Sequence, residues 1–216
     1  MYDANCSTST LDSHSNMEKA LLYEPVGTQR VHFQGGKGWD FFLETARPET
    51  QTDLSLVLPH YRARNQPLDH RLSMYVGSES GDIKVKVCRQ PPSRSPFYLE
   101  IQSDESDVTV WLPSDFRGRI EHSCSKAIFS AGFTNRIMQH ARINEPADAP
   151  ALPHYSPLDI PDEVVVHTDG NVTFRMWDVQ TCAPESRGKE TWKRMLGCCT
   201  KKAPETTIDW DFLLED

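Results

Sequence analysis

His122 and Cys124 stand two residues apart in the stretch HSCS, residues 122–125. On an extended strand that spacing puts an imidazole and a thiol on one face. A base so placed can take the thiol's proton and activate sulfur as a nucleophile. These two are the candidate catalytic residues. The ordinary alternative is a buried structural cysteine, because reactivity needs an electropositive, partly exposed setting. A second sulfur feature is Cys198-Cys199, bracketed by Lys193, Arg194, Lys201 and Lys202. Adjacent cysteines on a basic amphipathic helix are acylation targets, and the cations then favour anionic lipid, giving weak membrane association. The ordinary alternative is a helix packed on a sheet with its lysines in water.

Two acidic loops also carry ligand-type oxygens: Ser78, Glu79 and Asp82 in one, and Ser103, Asp104, Glu105 and Asp107 in the other. Clustered carboxylates suit Ca²⁺, but neither loop has the spacing of a calcium loop, and Ser and Asp favour turns for their own hydrogen bonding. His60 and His154 each sit in an LPHY tetrapeptide, while His122, His140 and His167 lie in or beside strands. None has H-x-H, H-E-x-x-H or Cys/His spacing. Gly35-Gly36-Lys37-Gly38 lacks the Ser or Thr and the helix of a phosphate loop. The expectation is no metal and no cofactor.

Composition narrows the class. A net charge of −8 argues against nucleic acid, whose phosphates demand clustered Lys and Arg. No charge-free apolar run reaches the ~18 residues of a membrane span. The opening residues lack the basic and apolar regions of a signal peptide. The six cysteines are unevenly spaced without a C-x-x-C pair, as expected of free thiols in a reducing compartment. Asn5 and Asn171 match the glycosylation sequon, and Asn171 is read as a turn residue. The expected location is the cytoplasm.

The elements that position these residues are strands. Leu54, Leu56 and Leu58 share one face, as do Leu72, Met74 and Val76, then Ile83, Val85 and Val87, then Leu99 and Ile101, then Val108, Val110 and Leu112. Val164, Val166, Val172, Phe174 and Met176 repeat the alternation, which has the period of half-buried strands. SESGDIKVKV (78–87) and SDESDVTVWL (103–112) align at an offset of 25, so each is a strand-loop-strand unit that buries its face by stacking on the other. Asp169-Gly170-Asn171 predicts a tight hairpin using positive φ. Between 119 and 144, two or three further strands turn Ile120, Ile128, Phe133, Ile137 and Ile143 inward. A Pro-rich linker follows. Trp192, Met195, Leu196 and Cys199 fall on one side of a short amphipathic helix. The expected fold is all-β: a mainly antiparallel β-sandwich or short β-solenoid over 31–180. A disordered segment precedes it over 1–30, and a C-terminal amphipathic helix and acidic tail follow over 181–216.

Leu112-Pro113-Ser114-Asp115-Phe116-Arg117-Gly118-Arg119-Ile120 writes a segment LP-x-x-F-x-G-x-I after paired strand-loop-strand units. In this the chain resembles an uncharacterised domain of mushroom-forming fungi, and it is similar to the β-repeat domains of bacterial putative adhesins. The resemblance covers roughly two-thirds of the chain. It implies an all-β fold and transfers no catalytic residue. The expected function is therefore an intracellular binding or interaction module. The alternative is a cofactor-independent enzyme, doing acid-base or cyclisation chemistry on a small molecule in a pocket at the open end of the β domain. Tyr75, Lys84, Lys86, Trp111, Arg175 and Trp177 fall opposite the core set. Of these Tyr75, Trp111, Arg175 and Trp177 are the candidate binding residues, aromatic rings and a cation of the kind enriched at hot spots.

Overall fold

Alternation of period two gives each strand an apolar and a polar face, and two such sheets bury their apolar faces against each other. The computed structural model describes residues 24–36, 38–45, 50–91, 94–146 and 160–185. One sheet contains β1 (Val26–Arg30), β3 (Thr52–Val57), β5 (Ile83–Cys88), β7 (Val108–Pro113), β9 (Lys126–Phe129), β12 (Asn171–Asp178) and β13 (Ala183–Pro184). The other contains β2 (Phe41–Thr45), β4 (Leu72–Ser78), β6 (Phe97–Ser103), β8 (Gly118–Ser123), β10 (Ala141–Ile143) and β11 (Asp162–His167). Successive strands alternate between the sheets from β1 to β10, so each coil of chain adds one strand to each. β1 lies within the segment expected to be disordered and pairs with β3 along its whole length. The C-terminal helix expected around Trp192–Cys199, Cys198 and Cys199 themselves, and the acidic tail lie outside the described residues.

The expectation of antiparallel strands, as a sandwich or a short solenoid, is overturned. Among the described residues every strand pairing is parallel except the short β12–β13 contact. Alternation fixes which residues face inward but says nothing about the direction of the neighbouring strand. The loops that read as hairpins cross instead from one sheet to the other. The offset of 25 is the pairing register itself: Leu72 pairs with Phe97 and Val76 with Ile101 in one sheet, while Ile83 pairs with Val108 and Val85 with Val110 in the other. The advance is equal in the two sheets here because the loops 79–82 and 104–107, which cross between them, have the same length.

The turn at Asp169-Gly170-Asn171 is likewise no hairpin. It carries the chain from β11 in one sheet to β12 in the other, and Gly170 does not use positive φ. Glycine is needed there for contact: a Cβ at 170 would stand 2.5 Å from the Ser106 carbonyl oxygen. The Thr168 hydroxyl donates to that same carbonyl at 2.7 Å and accepts from the Gly170 N–H at 3.0 Å. Buried Thr45, Ser78, Ser103 and Thr168 form a column of small polar residues where the chain leaves the six-stranded sheet.

The chain then departs from sequential order. β11 lies between β6 and β8, and β12 lies between β7 and β9. A late strand pair is thus inserted into a slot whose walls were laid down earlier in the chain. Asp162, fully buried at the start of β11, locks it in place. Its carboxylate accepts from Arg89 at 2.7 Å, from Arg94 at 3.1 Å and from the Arg117 N–H at 3.3 Å. Arg89 is 1% exposed, donates also to Asp115 and to the Ser95 carbonyl, and lies over the Phe97 ring. The LP-x-x-F-x-G-x-I segment serves this joint. Phe116 is buried beside Phe97, and a Cβ at Gly118 would lie 1.8 Å from the Asp162 carbonyl oxygen.

Beyond the slot, β8, β9 and β10 are the strands expected between 119 and 144, interrupted by a helix α1 (Ala131–Arg136) and a 3-10 turn (Met138–His140). Ile120, Phe133 and Ile137 are buried and Ile143 half-buried, whereas Ile128 points outward at 42% exposure. Phe129 faces the core in its place, against Phe133 and Phe174. α1 caps that end: Ser130 Oγ accepts from the Phe133 N–H and starts the helix.

Two outcomes follow. Val110 is fully buried and Thr109 only partly, so Val110→Asp should abolish the cooperative melt while Thr109→Asp retains it, because an unpaired buried carboxylate costs several kcal/mol. Asp162→Ala leaves Arg89 buried without its shortest partner and should cost about 3–5 kcal/mol in chemical denaturation. A loss below about 1 kcal/mol would show that the lock is dispensable.

Candidate functional site

The outward residues of the six-stranded sheet form rows set by the strand register. Ser73, Tyr98, Glu163 and Arg119 make one row across β4, β6, β11 and β8; Tyr75, Glu100, Val165 and Glu121 make the next; Gly77, Gln102, His167 and Ser123 make a third. Trp39, just before β2, stacks on Tyr98 with ring centroids 5.8 Å apart and touches Tyr75 at 5.5 Å. Phe42 stacks on the same Tyr75 at 4.9 Å. The Tyr75 ring folds over Gly77, where any Cβ would come within 3.0 Å of it. A side chain at 77, near the end of β4, would therefore have to displace that ring by a few tenths of an ångström.

Hydrogen bonds fix these rings. Tyr98 donates to Glu100 at 2.8 Å, Gln102 donates to the other Glu100 oxygen at 2.8 Å, and Tyr75 donates to Gln102 at 3.2 Å. Burial, then Glu44 and Glu100, push the Tyr75 phenol up to about 12. Burial and the hydrogen bond to Glu100 raise Tyr98 further. Both phenols stay protonated donors at neutral pH. At the edge of this face Asp40, nearly buried, accepts from the Gln34 N–H at 2.8 Å, the Ser73 N–H at 2.9 Å and His70 Nε2 at 2.8 Å. Ser73 Oγ lies 3.3 Å from the same carboxylate oxygen. The three residue types match a nucleophilic triad, but the carboxylate stands between serine and histidine. The imidazole therefore has no access to the hydroxyl proton, and the cluster holds strands together.

The four candidate binding residues do not share a face. Tyr75 belongs to the cluster above, while Trp111, Arg175 and Trp177 lie on the outer side of the seven-stranded sheet. There Lys86, Trp111 and Arg175 occupy one row, with the cations 5.4 and 5.6 Å from the Trp111 ring centroid. Lys86 pairs with Asp53 at 2.5 Å and Arg175 with Glu185 at 3.4 Å. Trp177 is 1% exposed and packs with Val57, Cys88 and Val179, so it is a packing residue. The other members of the Tyr75 cluster, Trp39, Phe42, Tyr98 and Glu100, are not among the candidate binding residues read from the sequence. The signal was available in the outward positions of FYLEIQS, residues 97–103.

His122 and Cys124 do come together: Sγ lies 3.4 Å from Nδ1. Asn144, in the left-handed region at φ 52°, adds a third member. Its Oδ1 accepts from the His122 N–H at 2.8 Å, which turns its Nδ2 toward His122 Nε2 at 3.4 Å. An amide donor at Nε2 leaves the ring proton on Nδ1, facing sulfur. That is the reverse of the tautomer that would draw a proton from the thiol. Burial lowers His122 and raises Cys124, so both are neutral. Since folding favours the neutral imidazole, its share of stability is full above pH 6.5 and is lost as the pH falls. No group of three or more His, Cys, Asp or Glu among the described residues could hold a metal ion. The acidic loops use their oxygens locally: Ser78 Oγ accepts from the Gly81 N–H, and Asp107 Oδ1 accepts twice from Asn171.

Iodoacetamide should alkylate Cys124 no faster at pH 7 than a free thiol, with a rate rising steadily toward pH 9. Mass spectrometry of the labelled peptide gives the rate. A fast plateau below pH 7, abolished by His122→Ala, would instead reveal a thiolate–imidazolium pair.

The chain belongs to the family described as Domain of unknown function (DUF7330), whose model matches residues 35–147, just over half of the sequence. No curated protein and no solved structure matches it. The matched region contains both walls of the slot and stops short of the strands that fill it.

Proposed function

We propose that this member of the DUF7330 family is an intracellular binding module, and that its ligand surface is the outer face of the six-stranded sheet around Trp39, Tyr75 and Tyr98. The observation that carries this reading is a stack of four aromatic rings on the solvent side of a sheet, tied to Glu100 and closing no core. Rings of this kind bury much area with few rotors, and the phenols and carboxylates beside them orient a partner. The finer resemblance, to a domain of mushroom-forming fungi and to adhesin-type β repeats, agrees with a surface that recognises rather than reacts. A cytoplasmic location is part of the same proposal.

The competing reading is a cofactor-independent enzyme working at the end of the β domain. His122, Cys124 and Asn144 support it by their proximity. Their neutral protonation states and the tautomer imposed by Asn144 favour the binding reading.

Native mass spectrometry of the full chain purified from its source tests the choice. Wild type should carry a companion molecule. Trp39→Ala and Tyr98→Ala should lose it while melting within about 1 kcal/mol of wild type, as surface changes away from the core do. A companion retained by both folded variants would place the surface elsewhere.

A further inference from the structure

The charges on the outer face of the six-stranded sheet do not balance around its aromatic cluster. Besides Asp40, which holds His70 at the edge, four carboxylates stand there: Glu44 on β2, Glu100 on β6, Glu163 on β11 and Glu121 on β8. Arg71 pairs with Glu163 and Arg119 with Glu121, while Arg142 stands on the edge strand β10, three strands from β6. Among the described residues Glu44 and Glu100 have no cation partner, and Glu100 accepts instead from the Tyr98 hydroxyl and the Gln102 amide. The field of these acids reaches the rings. Glu44 and Glu100 act on the Tyr75 phenol, and Glu100, Glu163 and Glu121 act on that of Tyr98. Hydrogen bonding sharpens the asymmetry. Tyr98 gives its proton to Glu100, and Tyr75 gives its own to Gln102. Both phenol protons are thus spent inside the cluster, which offers outward ring surface, oxygen lone pairs and negative charge. Its complement is a group with positive charge, several N–H donors and a flat apolar face.

Resting on the reading of this face as the ligand surface, we propose that it recognises arginine side chains in a basic segment of a partner protein. A guanidinium is planar, so it stacks on a ring while donating sideways to a carboxylate. An ammonium meets the charge but has no plane to stack. Each free carboxylate adjoins a ring: Glu100 lies opposite Tyr75 across the strand pair and two residues from Tyr98, and Glu44 lies two residues from Phe42. β2 and β6 are separated by β4 alone, two strand spacings or about 10 Å, a gap that two arginines of one extended segment span. Glu100 is half-buried and Glu44 exposed, so the bond to Glu100 is the less screened and the stronger of the two.

The test is calorimetric titration of the full chain, near physiological salt, with the peptide acetyl-Arg-Gly-Arg-Gly-Arg-amide. Wild type should bind it saturably and should not bind the counterpart in which citrulline, of the same shape without the charge, replaces arginine. Glu100→Gln should weaken binding about tenfold, the loss expected for a charge-assisted hydrogen bond, and Glu44→Gln about threefold. Glu105→Gln removes an equal charge from an exposed loop away from this face and should stay within about twofold of wild type. Melting curves matching wild type verify that each variant is folded. Equal losses in Glu100→Gln and Glu105→Gln would reveal mere attraction to the net charge of −8 and overturn the proposal. No saturable binding by wild type, or equal binding of the citrulline peptide, overturns it too. Trp39→Ala separates this inference from the reading beneath it. If that variant loses the companion molecule seen by native mass spectrometry while wild type ignores the peptide, the face binds something other than arginine and this proposal falls alone. If Trp39→Ala and Tyr98→Ala keep the companion and bind the peptide as wild type does, both fall.

Discussion

The rest of this structure depends on one buried ion pair and the strand that it secures. Asp162 is fully buried and Arg89 nearly so, and each has its charge met by several partners. A lone charge at that depth costs several kcal/mol, whereas a paired and hydrogen-bonded one need not. The pair fixes where β11 begins, and β11 fixes β12 through the short turn at Thr168–Gly170. Without the two, β6 and β7 on one side and β8 and β9 on the other would each present unpaired backbone to a gap one strand wide. The first coils and the last would be separate bodies with half a core each. The insert therefore belongs to the stability of the whole stack.

The same insertion builds the outer face. β11 contributes Glu163, Val165 and His167 to rows that begin in β4 and β6 and continue in β8. Arg71 reaches across to Glu163 at 2.5 Å, tying the start of β4 to the insert. The aromatic cluster of Trp39, Phe42, Tyr75 and Tyr98 occupies the sequential coils, beside the inserted strand. The opposite sheet is organised differently, with Trp111 held between Lys86 and Arg175 and with Trp177 sealed beneath the turn to β13. One face shows rings solvated in part, and the other shows rings largely consumed by packing.

The inward positions were legible because period two is a local property. Ile83, Val85, Val108 and Val110 needed only their own strands, and all are buried. The repeat at offset 25 was legible too, because one loop of constant length separates those coils. Strand direction was not, since the same alternation serves parallel and antiparallel neighbours. Nor was the insertion, whose registers of Tyr98 with Glu163 and Asp162 with Gly118 join residues far apart with nothing local to mark them. Gly118 and Gly170 were the hidden marks, both glycine because another chain segment's carbonyl lies where a Cβ would be. Of the site, Tyr75 and the His122–Cys124 contact could be read from spacing. Asn144 and Trp39 come from outside those strands, and tertiary structure alone brings them in.

In a parallel stack of two sheets the inward and outward positions answer to different demands. Between its sheets the inward side chains form one continuous apolar cluster, and an imidazole beside it, His122, is held neutral among Phe129, Phe174 and Cys124. Outward positions are free of that demand. They stand in rows about 4.8 Å apart from strand to strand, so residues distant in sequence become neighbours on the surface. Exchanging one outward residue alters a single point of such a grid and leaves the core packing unchanged. Tyr75 is an informative exception: its ring lies over Gly77 and donates to Gln102, so this point of the face is tied to its neighbours on the sheet. A residue held that firmly is preorganised, and preorganisation lowers the entropy lost when a partner settles on the surface.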